Sequence, residues 1–181
     1  LPIEVLSGGM LIPNEPFEIG EIAPIMLDIY PKIEASTGVK FGEDYLWHIN
    51  NPDKSDWFPN SLMPAIALTI IKEHAPEKQA QFATDIEYAL FFEGRDLTDP
   101  EAYRHLLENY EITEDEFYTK LNDEAYIDKA TTEFAIVNQL GITSFPVLLL
   151  QINENKFYLV AKGYMDYDTV IASCMSGGIG F

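Results

Sequence analysis

The chain has 181 residues, of which 47% are hydrophobic and 13% aromatic, enough to bury the core of one domain and to exclude wholesale disorder. Thirty Asp and Glu against eleven Lys and Arg give a net charge of -19, which repels phosphate backbones and makes nucleic acid and anionic membranes poor partners. No apolar run reaches the roughly 18 to 20 residues that a membrane-spanning helix needs. A single cysteine, Cys174, excludes an intramolecular disulfide and a multi-thiolate zinc site, and it favours a reducing, cytoplasmic location.

The first two thirds of the chain are predicted to be a short strand followed by helices. Apolar residues favour a strand over residues 2–6, and the prolines of the next segment, MLIPNEPF, indicate a loop. Helical spacing of apolar residues, with Gly, Pro, Asp or Thr at the boundaries, then predicts a series of helices. They cover residues 20–36, 62–74, 76–92, 99–109, 113–121 and 125–140.

The pattern changes after Gly141. The apolar run VLLLQI at residues 147–152 has the length of a buried strand, and residues 156–161 follow it as the second strand of a hairpin. A last helix is predicted over residues 166–175, and the glycine-rich tail after it is expected to be loosely held.

Six segments together carry a resemblance to a known family. They are LSGGM at 6–10, GEIAP at 20–24, TGVKFG at 37–42, FFEGRDL at 91–97, QLGITSFP at 139–146 and KGYMDYDT at 162–169. They resemble the predicted protein-disulfide isomerases of bacteria, in the DsbA-like branch of the thioredoxin superfamily. The resemblance implies an α/β, thioredoxin-like fold with a helical insertion, in which residues 1–11 and 136–181 form the core and residues 12–135 the insertion.

The family's fold begins with a strand and a Cys-x-x-Cys helix, and neither is in this chain. We therefore expect an N-terminal βα unit of about 30 residues to be missing, through truncation or, as an alternative, replaced by a partner chain. Its absence would leave a gap between residues 3–6 and 147–151, with unpaired backbone groups along it. The chain alone is predicted to hold no catalytic residue and to be inactive in dithiol exchange.

The segment Gly141–Pro146 is the predicted substrate platform. By resemblance, Ser144, Phe145 and Pro146 bind the extended substrate beside a cis proline. The local sequence alone leaves open that Pro146 is trans at a strand start and that Phe145 packs in the core. The bulk of Phe145 leaves the substrate class and the redox potential undecided.

The resemblance implies a thiol-disulfide oxidoreductase that acts on protein or peptide thiols and disulfides and needs no cofactor. One alternative is a glutathione-dependent transferase or isomerase of the kappa-class type, which uses a serine at the first active position and makes glutathione a second candidate partner. Another is a non-catalytic module that binds extended peptides along residues 144–146. The oligomeric state is not predicted.

Other chemistry-bearing residues are assigned structural roles. Cys174 lies on an apolar helical stripe and is predicted to pack inertly. The three histidines lack a second histidine at helical spacing, so no metal site is expected. The carboxylates of residues 114–116 fit a helix first turn better than acid-base catalysis. The turn Ser7-Gly8-Gly9 lacks the pattern of a phosphate-binding loop.

Overall fold

The computed structural model describes residues 2–154 and 156–176, and the chain forms two compact units, residues 1–134 and 135–181. The predicted tail lies outside the described residues from position 177 onward. The assignment of residues 1–11 and 136–181 to one core stays a prediction. Within the described ranges, no helix combines the length and the apolar character needed to cross a membrane.

The first unit is helical. Its helices are α1 (Ala23–Thr37), α2 (Glu43–Asn50), α3 (Leu62–His74), α4 (Gln79–Phe91), α5 (Glu114–Leu121) and the first part of α6 (Glu124–Gln139). Short 3-10 helices at Ile19–Glu21, Pro52–Lys54 and Pro76–Lys78 join them, and an eleven-residue 3-10 helix spans Pro100–Tyr110. All the predicted helices are confirmed to within a few residues, except that residues 100–110 take the tighter 3-10 form and α2 has no predicted counterpart.

Two predicted caps form in this unit. The Asp99 carboxylate accepts from the backbone N–H of Glu101 at 2.9 Å, and Thr113 Oγ1 accepts from the N–H of Glu116 at 3.2 Å. The Glu116 carboxylate binds Lys120 Nζ at 2.6 Å. In a capping box the Glu116 carboxylate would accept from the backbone N–H of Thr113. Here it binds Lys120, one turn further along α5.

The core of the first unit has two clusters of buried side chains. The larger one joins α3, α4, α5, α6 and the long 3-10 helix around Phe82, Tyr103, Tyr110 and Phe117, all at most 1% exposed. Helix α4 contributes Phe82 to this cluster, whereas Phe92, directly after the helix, is 43% exposed. The smaller cluster packs Ile19, Ala23, Tyr45, Ile49 and Trp57 together.

The predicted strand at residues 2–6 is wrong, because this segment has no neighbouring strand in the part of the chain that the structure describes. Side chains take the place of a neighbouring backbone. The N–H of Val5 donates to Gln79 Oε1 at 2.8 Å, and Lys72 Nζ donates to the Val5 carbonyl at 2.8 Å. The backbone hydrogen bonds of Val5 are thus satisfied without a sheet, as buried backbone groups require.

The second unit contains the hairpin and the last helix. Strands β1 (Val147–Asn153) and β2 (Lys156–Lys162) pair antiparallel as predicted, with Leu149 opposite Leu159 and irregular register at two points. Helix α7 (Tyr167–Ser176) packs against β2, where Ser173 Oγ donates to the carbonyl of Val160 at 2.9 Å. This hairpin fixes the position of the residues that precede β1.

Candidate functional site

The segment Gly141–Pro146 is fixed at its start by the end of α6. Gly141 has φ +70°, in the left-handed region that glycine adopts at little cost. Its N–H donates to the Asn138 carbonyl at 2.9 Å, and the N–H of Ile142 donates to the Val137 carbonyl at 3.3 Å. This pair of bonds is the Schellman motif, which ends α6 and turns the chain toward β1.

The other end of the segment is fixed by β2. The Phe145–Pro146 peptide bond is cis, and the Pro146 carbonyl accepts from the N–H of Gly163 at 2.8 Å. The side chain of Phe145 is 39% exposed. The two structural alternatives that the local sequence leaves open, a trans proline and a core Phe145, are therefore wrong.

Strand β1 has one edge without a strand neighbour. In the part of the chain that the structure describes, the sheet has two strands, and β1 pairs only with β2. Because backbone groups in a strand alternate in direction, every second N–H and C=O of β1 points away from β2. Such an edge, starting directly after Pro146, can accept an extended chain as an added strand.

The side chains beside this edge differ in their surroundings. Thr143 is exposed, whereas Ser144 is half-buried and its Oγ is buried without a hydrogen-bond partner among the described atoms. The structure therefore brings Ser144, Phe145 and Pro146 to one turn, in which Phe145 and Pro146 are exposed. This turn lies at the start of the β1 edge that has no strand neighbour among the described residues. Their role in substrate binding stays a prediction.

The cysteine and the first of the histidines belong to other elements. Cys174 is half-buried on α7 and is not in a disulfide. His48 stacks on Trp57 with ring centroids 4.0 Å apart, its Nδ1 lies 2.7 Å from Ser55 Oγ, and burial lowers its pKa. Among the residues that the structure describes, no three His, Cys, Asp or Glu side chains are grouped so that they could hold a metal.

The remaining two histidines contact single carboxylates. His74 Nδ1 lies 3.6 Å from Glu116, and His105 Nε2 lies 2.9 Å from Glu93. The hydrogen bond from Lys120 lowers the pKa of Glu116, and Glu114 pairs with Arg104. These carboxylates act as ion-pair partners on the surface.

The turn at Ser7 contacts the side-chain carboxylate of Glu133. The N–H of Ser7 donates to Glu133 Oε2 at 2.9 Å, and the other oxygen of Glu133 accepts from Lys72 Nζ at 2.6 Å. This cluster is not among the predicted sites. Two features of the sequence could have indicated it. Lys72 directly follows the apolar run that ends at Ile71. Helical spacing places Glu133 on the same side of α6 as the apolar residues Ala130 and Val137.

Neither protein-family models nor curated protein sequences match the chain. Solved structures do. A "putative protein disulfide isomerase" from Nitrosomonas europaea superimposes with a TM-score of 0.78 and 19% identity, covering 91% of this chain and 77% of the other. The cytosolic disulfide reductase DsbM from Pseudomonas aeruginosa gives a TM-score of 0.71 and 19% identity, covering 96% of this chain and 82% of DsbM.

A structure of DsbM with GSH gives a TM-score of 0.69 and 20% identity, covering 97% of this chain and 84% of that one. The chain has a DsbA-like thioredoxin fold. The fold class implied by the resemblance is thereby confirmed. At these identities the likeness extends to the DsbA-like fold alone, and the activity needs its own argument.

Proposed function

We propose that this chain provides the substrate-binding part of a thiol-disulfide oxidoreductase. The observation that carries the proposal is the Ser144–Pro146 turn, with Phe145 and Pro146 exposed, at the β1 edge that has no strand neighbour among the described residues. The fold around it is shared with disulfide isomerase and reductase structures. The 181 residues hold one cysteine. The proposal therefore requires a dithiol from outside these residues.

The reaction has two steps. A thiolate attacks a substrate disulfide, forming a mixed disulfide and releasing one substrate thiolate. The second thiol of the pair then attacks the mixed disulfide, which releases the reduced substrate and leaves the enzyme's pair oxidised. This chain's share is to hold the substrate extended beside the reacting sulfurs.

We place the substrate on the outer edge of β1 and the preceding turn. Backbone groups that point away from β2 supply hydrogen bonds, and the exposed Phe145 ring supplies apolar contact for one substrate side chain. Main-chain pairing accepts many sequences, which suits a protein that acts on disulfides of different clients.

Glutathione is the second candidate partner. A neighbour of the same fold is a disulfide reductase solved with GSH, which supports glutathione as the small thiol that exchanges with this protein. We place the reaction in the cytosol of a bacterium; the support is the single cysteine and the cytosolic neighbour. The kappa-class alternative would need a serine where the dithiol enzyme has its first cysteine.

The binding role is tested with a fluorescein-labelled, ten-residue extended peptide containing one cysteine capped as a mixed disulfide. We expect saturable binding in fluorescence anisotropy. Methylating single backbone nitrogens of the peptide should weaken binding at every second position, by about tenfold for each hydrogen bond removed. A flat response along the peptide would contradict pairing with β1.

Two matched variants test whether the peptide binds beside Phe145. Phe145→Asp should lower its affinity about tenfold, because burying the new carboxylate is unfavourable. Ile25→Asp introduces the same carboxylate in place of another exposed apolar side chain, on α1, where Ile25 is 60% exposed, and should leave the affinity unchanged. Equal effects of the two substitutions would overturn the assignment.

The redox role is tested separately. Added to insulin and dithiothreitol, this chain should not accelerate insulin precipitation, since Cys174 has no second thiol. Sequencing the codons that adjoin Leu1 in the genome then tests the dithiol. A Cys-x-x-Cys motif supports the oxidoreductase, whereas a serine at its first position favours the kappa-class alternative.

A further inference from the structure

A cavity of about 300 Å³ lies on the hairpin within the second unit. Four apolar side chains from the two strands line it: Val147, Leu149, Phe157 and Leu159. Phe157 is 42% and Leu159 53% exposed, although both are large apolar side chains on a strand. The volume is at the lower end of the range for pockets that bind small molecules.

Three polar side chains line this cavity: Thr143, Ser144 and Lys162. Lys162, which lies opposite Val147 at the end of β2, contributes the only cation among the lining residues that the structure describes. No carboxylate of the described residues lies within ion-pair distance of its amine. In a chain with net charge -19, an unpaired lysine beside an apolar cavity is complementary to an anion.

Ser144 adds a hydroxyl to the same lining. Its Oγ is buried and has no hydrogen-bond partner among the described atoms, and rotation about χ1 gives the hydroxyl other directions. A buried hydroxyl without a partner is unfavourable, so an acceptor that enters the cavity would be held by it. Thr143, next to it, also lines the cavity.

We propose that this cavity binds a small monocarboxylic acid with an apolar tail, the tail against Val147, Leu149, Phe157 and Leu159 and the carboxylate between Lys162 and Ser144. One lysine and the hydroxyls of Ser144 and Thr143 match the charge and acceptors of a carboxylate. A phosphate carries up to twice that charge, and proteins usually bind it with more donors. This site shares Ser144 with the proposed substrate-binding turn, but its ligand is of a different class and its test does not require thiol-disulfide exchange.

The test uses octanoate as the probe and 1-octanol as its neutral counterpart, with binding measured by calorimetry at 50 mM NaCl. Octanoate should bind about fivefold more tightly than octanol, because only octanoate can pair with the lysine. Raising NaCl to 500 mM should remove most of that difference. Equal affinities at 50 mM would overturn the proposal.

Two lysine variants on β2 test whether the amine of Lys162 binds the octanoate carboxylate. Lys162→Gln should lower octanoate affinity about fivefold and leave octanol unchanged. Lys156→Gln makes the same charge change at the other end of β2, outside the lining, and should leave both unchanged. Equal effects would show a response to net charge alone and contradict the site.

Ser144→Ala and methyl NMR complete the test. Removing the hydroxyl should weaken octanoate about fivefold. The methyl resonances of Val147, Leu149 and Leu159 should shift during the titration. Shifts confined to the methyls of Met63 and Leu121, which line a separate groove in the first unit, would refute the assignment.

Discussion

Gly42 has no room for a side chain. A Cβ there would lie 1.7 Å from the backbone carbonyl oxygen of Phe92, and the Gly42 N–H donates to the Phe91 carbonyl at 2.9 Å. The obstacle is backbone, so it cannot rotate away. We therefore expect Gly42→Ala to lower the free energy of unfolding by about 3 kcal/mol, at the upper end for overpacking, as measured by urea denaturation.

The control for this prediction is Gly20→Ala. A Cβ on Gly20 would lie 3.4 Å from the Cβ of Pro52, an ordinary contact. Its effect on the free energy of unfolding should stay within about 0.5 kcal/mol. If the two substitutions destabilise the chain equally, a clash with the Phe92 carbonyl is not the reason that Gly42→Ala is destabilising.

Lys72 is predicted to be the most important cation for stability. Its side chain is 13% exposed and that of Glu133 11%, and its amine also binds the Val5 carbonyl. Lys72→Met leaves the buried carboxylate of Glu133 without its cation. We therefore expect the free energy of unfolding to fall by about 3 kcal/mol, measured by urea denaturation followed by tryptophan fluorescence. Adding Glu133→Gln should restore part of the loss, because the unpaired charge is then gone.

Lys32→Met is the matched control for Lys72→Met. The Lys32–Asp28 pair spans one helical turn and both side chains are about 70% exposed. Its removal should change the free energy of unfolding by less than about 0.5 kcal/mol. Similar losses for both lysines would mean that burial does not set the strength of the Lys72 pair.

At the scale of elements, the long helices and the hairpin can be predicted because each carries its own periodic pattern. Helix α3 has the predicted bounds, Leu62–His74, since a continuous apolar face and a following proline define it. Helix α2 escapes prediction because eight residues give only one buried pair, Tyr45 and Ile49. The segment at Val5 resembles a strand in sequence because the alternation of its side chains does not reveal whether a neighbouring strand is present.

The candidate site is predictable only through the family resemblance. The local sequence leaves the geometry at Pro146 open, and nothing in the pattern VLLLQI shows which edge of β1 is free. The cavity beside Lys162 cannot be predicted from the sequence at all. It depends on the register that brings Val147 opposite Lys162, which is a property of the paired strands.

Helix α2 carries a pH-dependent contribution through Tyr45. Burial raises the pKa of Tyr45 from 10.0 to about 12, so the folded state keeps its proton after the unfolded state has lost it. The contribution is complete below pH 10 and is lost as pH rises toward 12. Between pH 9 and 11 this one group should reduce the free energy of unfolding by about 1.4 kcal/mol.

Tyr45→Phe isolates that contribution. The ring would keep its place among Phe41, Phe91 and Trp57 while the ionisable hydroxyl is removed. Urea midpoints at pH 9, 10 and 11 should therefore fall less steeply in the variant than in the parent chain. Parallel curves would show that Tyr45 does not retain its proton in the folded state.

At the scale of the whole molecule, the net charge of -19 opposes the compact state. Repulsion between exposed carboxylates is screened by salt, with a Debye length that falls from about 30 Å at 0.01 M to about 3 Å at 1 M. Raising NaCl from 10 mM to 500 mM at pH 7 should therefore increase the free energy of unfolding, on the order of 1 kcal/mol. Urea titrations at the two salt concentrations measure the change.

The same titrations near the isoelectric point separate charge repulsion from other effects of salt. The sequence pI is about 4.2, so at pH 4.5 the net repulsion is nearly gone. The hydrogen bond from Lys129 lowers the pKa of Glu73, so ion pairs of this kind remain at that pH. Salt then screens mainly attractions, and its stabilising effect should vanish or reverse. An equal gain from salt at pH 4.5 and pH 7 would show that salt acts on this chain through hydrophobic burial, and that its acidity does not limit its stability.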